Sequence, residues 1–182
     1  MLTNGDALFG TLDSWIAFNL SEKKYHITDY ASVSYTGLCD PVHFCYNKNI
    51  ISFLKLKSDC FPKIISPLGF LFETGKNIFG SSILVTSMIG DKQASILGYG
   101  CVNYGNTIVT FGDELVTDTH TGRKIMPLIQ LNSYPILGWG PHSFGCVNLY
   151  ETRTDLPNMK ILKEKIQKGI DYVAIFKKIA ST

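Results

Sequence analysis

The sequence predicts an α/β fold, and three stretches carry that expectation. Residues 83–89, Ile-Leu-Val-Thr-Ser-Met-Ile, form a mostly apolar, β-prone run of the length of a buried strand, stopped by Gly90. Asp91 follows, and Lys92-Gln93-Ala94-Ser95-Ile96-Leu97 are tolerable helix residues closed by Gly98. Farther on, Thr107-Ile108-Val109-Thr110-Phe111 and Leu115-Val116-Thr117-Asp118-Thr119 flank a polar turn at Gly112-Asp113-Glu114, which predicts a β-hairpin ended by Gly122. A strand feeding a helix through one glycine puts a carboxylate just outside the carboxyl end of the strand, where open α/β sheets place their chemistry. The same position suits an acid that merely caps the helix, and the pattern alone leaves both roles open for Asp91.

Composition narrows the classes. At 182 residues, 45% hydrophobic and 18% charged, the chain is long and apolar enough for one domain or two small ones. A net charge of +2 gives no case for nucleic acid or a membrane surface. No apolar run reaches the length of a membrane span, and the opening Met-Leu-Thr-Asn-Gly-Asp-Ala-Leu-Phe-Gly has no basic region ahead of an apolar core, so no signal peptide is expected. Five cysteines, an odd number without a Cys-x-x-Cys, point to a reduced, cytoplasmic chain. Cys39, His43 and Cys45 lie close in sequence but lack a fourth ligand at zinc spacing, so no metal site is expected.

Taken in order, residues 10–20 set Leu12, Trp15, Ile16 and Leu20 at helical spacing, which predicts a helix with those side chains in the core and Thr11 or Asn4 as cap. His26 to Gly37 alternates Thr, Tyr, Val and Tyr and predicts a strand and turn, with Asp29 as a turn residue. Leu38-Cys39-Asp40-Pro41 reads as a turn before a weak helix over 46–56. Pro62, Pro67, Gly69, Gly75 and Gly80 predict a loop-rich stretch. At the end, Ile161, Leu162, Ile166, Ile170 and Val173 predict an amphipathic helix over 157–179, with lysines on its outer face.

Several of these strings resemble the glycerol kinases of the FGGY carbohydrate kinase family. Gly90-Asp91-Lys92-Gln93-Ala94 is similar to the family's Gly-Asp-Gln-Gln-Ala. Gly10-Thr11-Leu12-Asp13-Ser14-Trp15-Ile16 is similar to Gly-Thr-Ile-Asp-Ser-Trp-Leu, and His26, Thr28, Asp29 and Ser34 match a His-x-Thr-Asp pattern and its continuation. Thr110–Gly122 aligns without a gap to Thr-aromatic-Gly-Thr-Gly-x-Phe ending in Asn-Thr-Gly, and residues 134–139 resemble Tyr-Pro-Leu-Ile-Gly-Trp. The resemblance covers roughly residues 8–151. The wording around Thr36-Gly37-Leu38 with Asp40-Pro41 and Cys45 looks most like the divergent animal branch.

The resemblance implies an actin-like, ribonuclease H-like ATPase fold of two α/β domains. Residues 1–98 are expected to be the C-terminal part of the first domain and 101–182 an incomplete start of the second, with Gly98-Tyr99-Gly100 near the hinge. The family's N-terminal Asp-x-Gly-Thr-Thr segment, its Arg-Glu pair and the aromatic residues that hold glycerol have no counterpart here, so the chain is expected to be a middle piece. The implied activity is ATP-dependent phosphoryl transfer, with Mg2+, to a hydroxyl of glycerol or a related polyol. Asp91 corresponds to the catalytic base. The family's substrate-bonding glutamine has become Lys92, which donates but cannot accept, and a lysine there is expected to pair with Asp91 and lower its basicity.

The nucleotide side departs further. Of the Gly-Thr-Gly phosphate turn only Gly112 remains, with Asp113 and Glu114 in place of neutral donors. A carboxylate about 4 Å from a phosphate charge costs roughly 4 kcal/mol at an effective dielectric of about 20. The family phenylalanine near substrate is Val116, and Arg153-Thr154-Asp155-Leu156-Pro157-Asn158 replaces the glycine-containing helix start of the adenine pocket. Three functions stay open: a polyol kinase, a catalytically inactive homologue, and a small α/β interaction module without a nucleotide site.

Overall fold

The computed structural model describes residues 6–111, 114–124, 133–139 and 147–154. The expected 157–179 helix, Asn4, and the turn residues Gly112 and Asp113 lie outside them.

The first half is built from short elements. Helix α1 (Leu12–Leu20) is followed by β1 (Ile27–Asp29), α2 (Tyr30–Ser34), β2 (Cys39–Asp40), β3 (Cys45–Tyr46) and α3 (Lys48–Phe53). Strands β4 (Lys63–Ile65) and β5 (Leu68–Glu73), helix α4 (Lys76–Phe79) and strand β6 (Leu84–Ser87) come next. Strand β1 pairs parallel with β4, in the register Ile27↔Lys63, and β5 pairs antiparallel with β6. One core closes this half: Ala17, Ile27, Leu71 and Phe72, with Leu20, Ile65, Val85 and Met88 packed against them.

The second half opens with α5 (Asp91–Gly98) and a four-stranded antiparallel sheet in the order β7-β8-β10-β9. Its strands are β7 (Thr107–Phe111), β8 (Leu115–Gly122), β9 (Ser133–Trp139) and β10 (Val147–Thr154). Ile96 from α5 joins Ile136, Trp139 and Leu149 in a second core. No helix among the described residues is long and apolar enough to cross a membrane.

The predicted hairpin forms as read, with Phe111 opposite Leu115 and the return strand ending at Gly122. Four expectations change. Helix α1 forms over the expected residues but turns its other face inward. Ser14 and Ala17 are buried, while Leu12 is 75% exposed and Trp15 64% exposed. Periodicity locates an apolar stripe but not which face meets a neighbour, and here Asp13 and Thr11 are anchored on β1. The Thr28 hydroxyl donates to Asp13 Oδ2 at 2.8 Å, and the Thr11 hydroxyl lies 3.1 Å from that of Thr28 instead of capping its own helix. We therefore expect Trp15→Ala to leave the urea midpoint almost unchanged, within about 0.5 kcal/mol. Ala17→Leu, at a fully buried position, should lower stability by about 1–3 kcal/mol through overpacking.

Between His26 and Gly37 the strand stops at Asp29 and α2 begins. The Asp29 side chain accepts from the Ser32 N–H at 2.8 Å, so the expected turn acid is a helix N-cap. The expected loop-rich stretch contains β4, β5 and α4, because its prolines and glycines fall largely between these short elements. The strand expected to be buried over 83–89 exists as β6, but it is mostly exposed, with Ile83 47% and Leu84 51% accessible. It pairs only with β5 among the described residues.

Candidate functional site

The site grows out of the β6–α5 junction. Gly90 occupies the N-cap of α5 with an extended backbone, and a side chain there would meet Gln93 Oε1 at 2.6 Å. Glycine lets Gln93 fold beneath the helix start, where it is 1% exposed and donates to the Leu137 carbonyl of β9 at 3.2 Å. Asp91 is then the first helical residue, exposed, with Oδ1 accepting the Lys92 N–H at 2.8 Å. It lies just past the carboxyl end of β6, as the sequence predicts.

Lys92 does not pair with Asp91. Its ammonium reaches Glu151 Oε2 on β10, so the expected Lys92–Asp91 pair is corrected. Glu151 is fully buried and also accepts from the Tyr134 hydroxyl at 2.5 Å and from Arg153 Nε at 2.7 Å. A carboxylate in such a place attracts an ammonium more strongly than an exposed one does, since water screens it less. Burial opposes ionisation of Glu151, but its three donors outweigh burial and hold its carboxyl below the ordinary range. Burial first, and the Glu151 carboxylate beside the phenol next, push the Tyr134 hydroxyl up to about 12.

Directly across the sheet from Glu151 stands Asp118 of β8, 2% exposed. Burial first and the neighbouring Glu151 next push its carboxyl up to about 6, with Lys92 pulling the other way. Among the described residues Asp118 Oδ1 has no hydrogen-bond partner. Glu114, at the edge of the hairpin turn, pairs with Arg153 at 3.6 Å. Arg153 also lies over the Tyr134 ring, its guanidinium carbon 5.8 Å from the ring centre.

The expected nucleotide-binding turn is described only at Glu114. Glu114 offers an anion, already paired with Arg153, where a phosphate needs donors. Among the described residues no group of three or more His, Cys, Asp or Glu is placed to hold a metal ion. His43 Nδ1 instead lies 2.8 Å from Asp40 Oδ2. Gly112 and Asp113 lie outside the described residues. Thus the structure brings Asp91, Lys92 and, through Arg153, Glu114 to one end of the four-stranded sheet. Sequence reading missed Glu151, Asp118, Tyr134 and Arg153. A signal was present: Glu151 sits two residues from Leu149 in a strand, which puts the acid on the same inward face as a core leucine.

Comparisons with known proteins agree with the motifs. No protein-family model matches the chain. It is 32% identical over 118 residues to a glycerol kinase of Lachnoclostridium phytofermentans, covering 65% of this chain and 24% of that protein. It is 29% identical over 131 residues to glycerol kinase 5 of Bos taurus, covering 72% of this chain and 25% of that protein. The chain therefore spans about a quarter of the length of the curated relatives it matches. Among solved structures, glycerol kinase from Plasmodium falciparum with ADP superposes with a TM-score of 0.79 at 18% identity, over 95% of this chain and 35% of that one. A xylulose kinase from Lactobacillus acidophilus gives a TM-score of 0.63 at 17% identity, over 78% of this chain and 28% of that one. The α/β architecture is accordingly that of the actin-like ATPase fold of these kinases.

Proposed function

We propose, from the premise that this chain is a glycerol kinase-like relative of the FGGY carbohydrate kinases, that it carries the acceptor side of a polyol kinase site, with Asp91 as the base. The parent reaction is ATP-dependent phosphoryl transfer to a hydroxyl of glycerol or a related polyol. The observation that carries the reading is the placement of Asp91: exposed, at the helix start beyond β6, with the Lys92 ammonium drawn away to Glu151. A polyol hydroxyl is a poor nucleophile, and a free carboxylate within hydrogen-bond reach takes its proton as it attacks. Lys92, whose side chain is 26% exposed, stands next to Asp91 in sequence, and a substrate contact through it would require its ammonium to leave Glu151. ATP and Mg2+ belong to the parent reaction. In this reading residues 1–98 contribute to the first kinase domain and 101–182 to the second, with α5 at the end of the first range packed on the second-half sheet through Gln93 and Ile96. The thiols of Cys39, Cys45, Cys60 and Cys101, all free, are compatible with a cytoplasmic setting.

The paired Glu114 favours a second reading, a catalytically silent homologue, because phosphoryl transfer depends on positioning and electrostatic stabilisation of the phosphates. Both readings are tested together. Glycerol titrated into the isotopically labelled chain should shift the Asp91 and Lys92 amide signals at millimolar concentration, and Asp91→Asn should abolish the response. A titration that leaves both signals still would sink the acceptor role. In a coupled assay for ADP, the 182-residue chain with glycerol, ATP and Mg2+ should stay at the Asp91→Asn background. Turnover above that background would overturn the silent reading.

A further inference from the structure

The buried acids on β8 and β10 have no role in the reading above, yet one of them decides where Lys92 points. We propose that Glu151 is a positioning residue for Asp91: together with Asp118 it forms a carboxyl–carboxylate pair that shares one proton and keeps the Lys92 ammonium on β10, off the adjacent base. This rests on Asp91 being the base.

The geometry is specific. Glu151 and Asp118 are register partners on neighbouring antiparallel strands, so their side chains stand side by side on one face. Both are essentially inaccessible to water. All three donors that reach Glu151 come from other positions: Lys92 on α5, Tyr134 on β9 and Arg153 farther along β10. Among the described residues Asp118 has no such set of donors, and one of its oxygens is unpartnered. Two carboxylates this close in a dry place do not both ionise readily, and the one without donors takes the proton.

The charges facing the pair balance only in that state. Lys92 and Arg153 bring two positive charges, and Glu151 and Glu114 two negative ones. A neutral Asp118 completes a balanced cluster, and an ionised one leaves an extra buried negative charge. Just past the end of α2, the Tyr35 hydroxyl adds no compensating charge, since burial pushes its ionisation far up. On the β7 side the residue opposite Asp118 is the apolar Ile108. His120, two residues along β8 on the same face, is held neutral by burial, its Nδ1 accepting the Gly122 N–H at 3.1 Å.

The proton step is simple. As pH falls, the Asp118 carboxylate takes a proton from solvent and its O–H donates to Glu151; as pH rises, the proton returns to solvent. The dianionic pair then grips Lys92 and Arg153 more strongly. Asp91 is freest of its lysine neighbour above the midpoint of that step.

Carboxyl-carbon NMR of the intact chain tests this without requiring catalysis. The Asp118 side-chain carbon should titrate with a midpoint near pH 6, and the Glu151 carbon, already ionised there, should shift in step as its neighbour's proton leaves. In Asp118→Asn the Glu151 step near that pH should vanish. In Lys92→Met the midpoint should move upward, and Lys92→Arg should bring it back. At fixed pH 7.5, Glu151→Gln should displace the Asp91 carboxyl carbon, and adding Lys92→Met should restore it. A Glu151 carbon that stays flat while Asp118 titrates alone would overturn the shared proton. An Asp91 carbon indifferent to Glu151→Gln would overturn the positioning role, and if that variant fails to fold, the Lys92→Met and Lys92→Arg midpoints decide. Failure of the glycerol titration with these NMR results intact would remove the base assignment and leave the coupled pair standing.

Discussion

Glu151→Gln should lower the folding stability of the chain by about 3–5 kcal/mol, the largest loss we expect from any single polar substitution. Glutamine has nearly the same volume, so no cavity opens. What changes is charge: Lys92 and Arg153 would face a neutral amide in a place where Glu151 is fully buried. Removing one partner of a buried ion pair leaves an uncompensated charge, and that desolvation cost dominates the loss. Stabilities of whole domains lie at about 5–15 kcal/mol, so the variant should approach the limit of folding. The cost should be non-additive. Lys92→Met alone leaves the Glu151 anion with two donors and should also destabilise, but Glu151→Gln with Lys92→Met should recover part of the loss. Urea unfolding of the four proteins in a double-mutant cycle measures the coupling. A Glu151→Gln effect under about 0.5 kcal/mol would show that water reaches the cluster and screens it.

Asp118→Asn should do the opposite at neutral pH. The carboxyl of Asp118 is raised from an ordinary 3.8 to about 6 in the folded chain. A raised carboxyl binds its proton more tightly when folded, so its contribution to stability is fully present below about pH 4. That contribution is lost as pH rises through about 6, and above that the folded state carries the full penalty of an ionised buried acid. For a shift of this size the penalty is on the order of 3 kcal/mol. Asparagine supplies an N–H to Glu151 with no charge to ionise. The variant should therefore gain up to roughly that amount relative to the parent at pH 7, and little at pH 4. The sign follows from burial, which outweighs the opposing pull of Lys92. Unfolding midpoints of the two proteins at pH 4, 5, 6 and 7 should diverge steadily. Parallel curves across that range would mean that Asp118 is already ionised at pH 4.

Local signals make the β6–α5 junction and the β7–β8 hairpin legible in the sequence. Gly90 ends an apolar run, Gly98 ends a helix, and β-branched residues flank the turn on both sides; each of these acts within a few residues of where it is read. The motif strings around Asp13, Asp91 and residues 134–139 went further and identified the kinase relationship, because they fix residue types at fixed spacing. The placement of Asp91 at a helix start was therefore set by sequence alone.

Tertiary structure decided the rest. The apolar stripe of α1 was correctly found and wrongly aimed, since burial depends on which face the neighbouring strand offers, and β1 offers Thr28 to Asp13. Asp29 caps α2 because the backbone turns there, which an alternating pattern of Thr, Tyr and Val does not disclose. The partner of Lys92 lies 59 residues away in sequence. A lysine beside an acid looks like an ion pair on paper, since the nearest charge in sequence is the only one visible. In the folded chain, exposed Asp91 competes with buried Glu151, which lies in a place of weak screening and has two further donors to hold it. Ions pair where desolvation and geometry favour them, and only the fold brings β10 under α5.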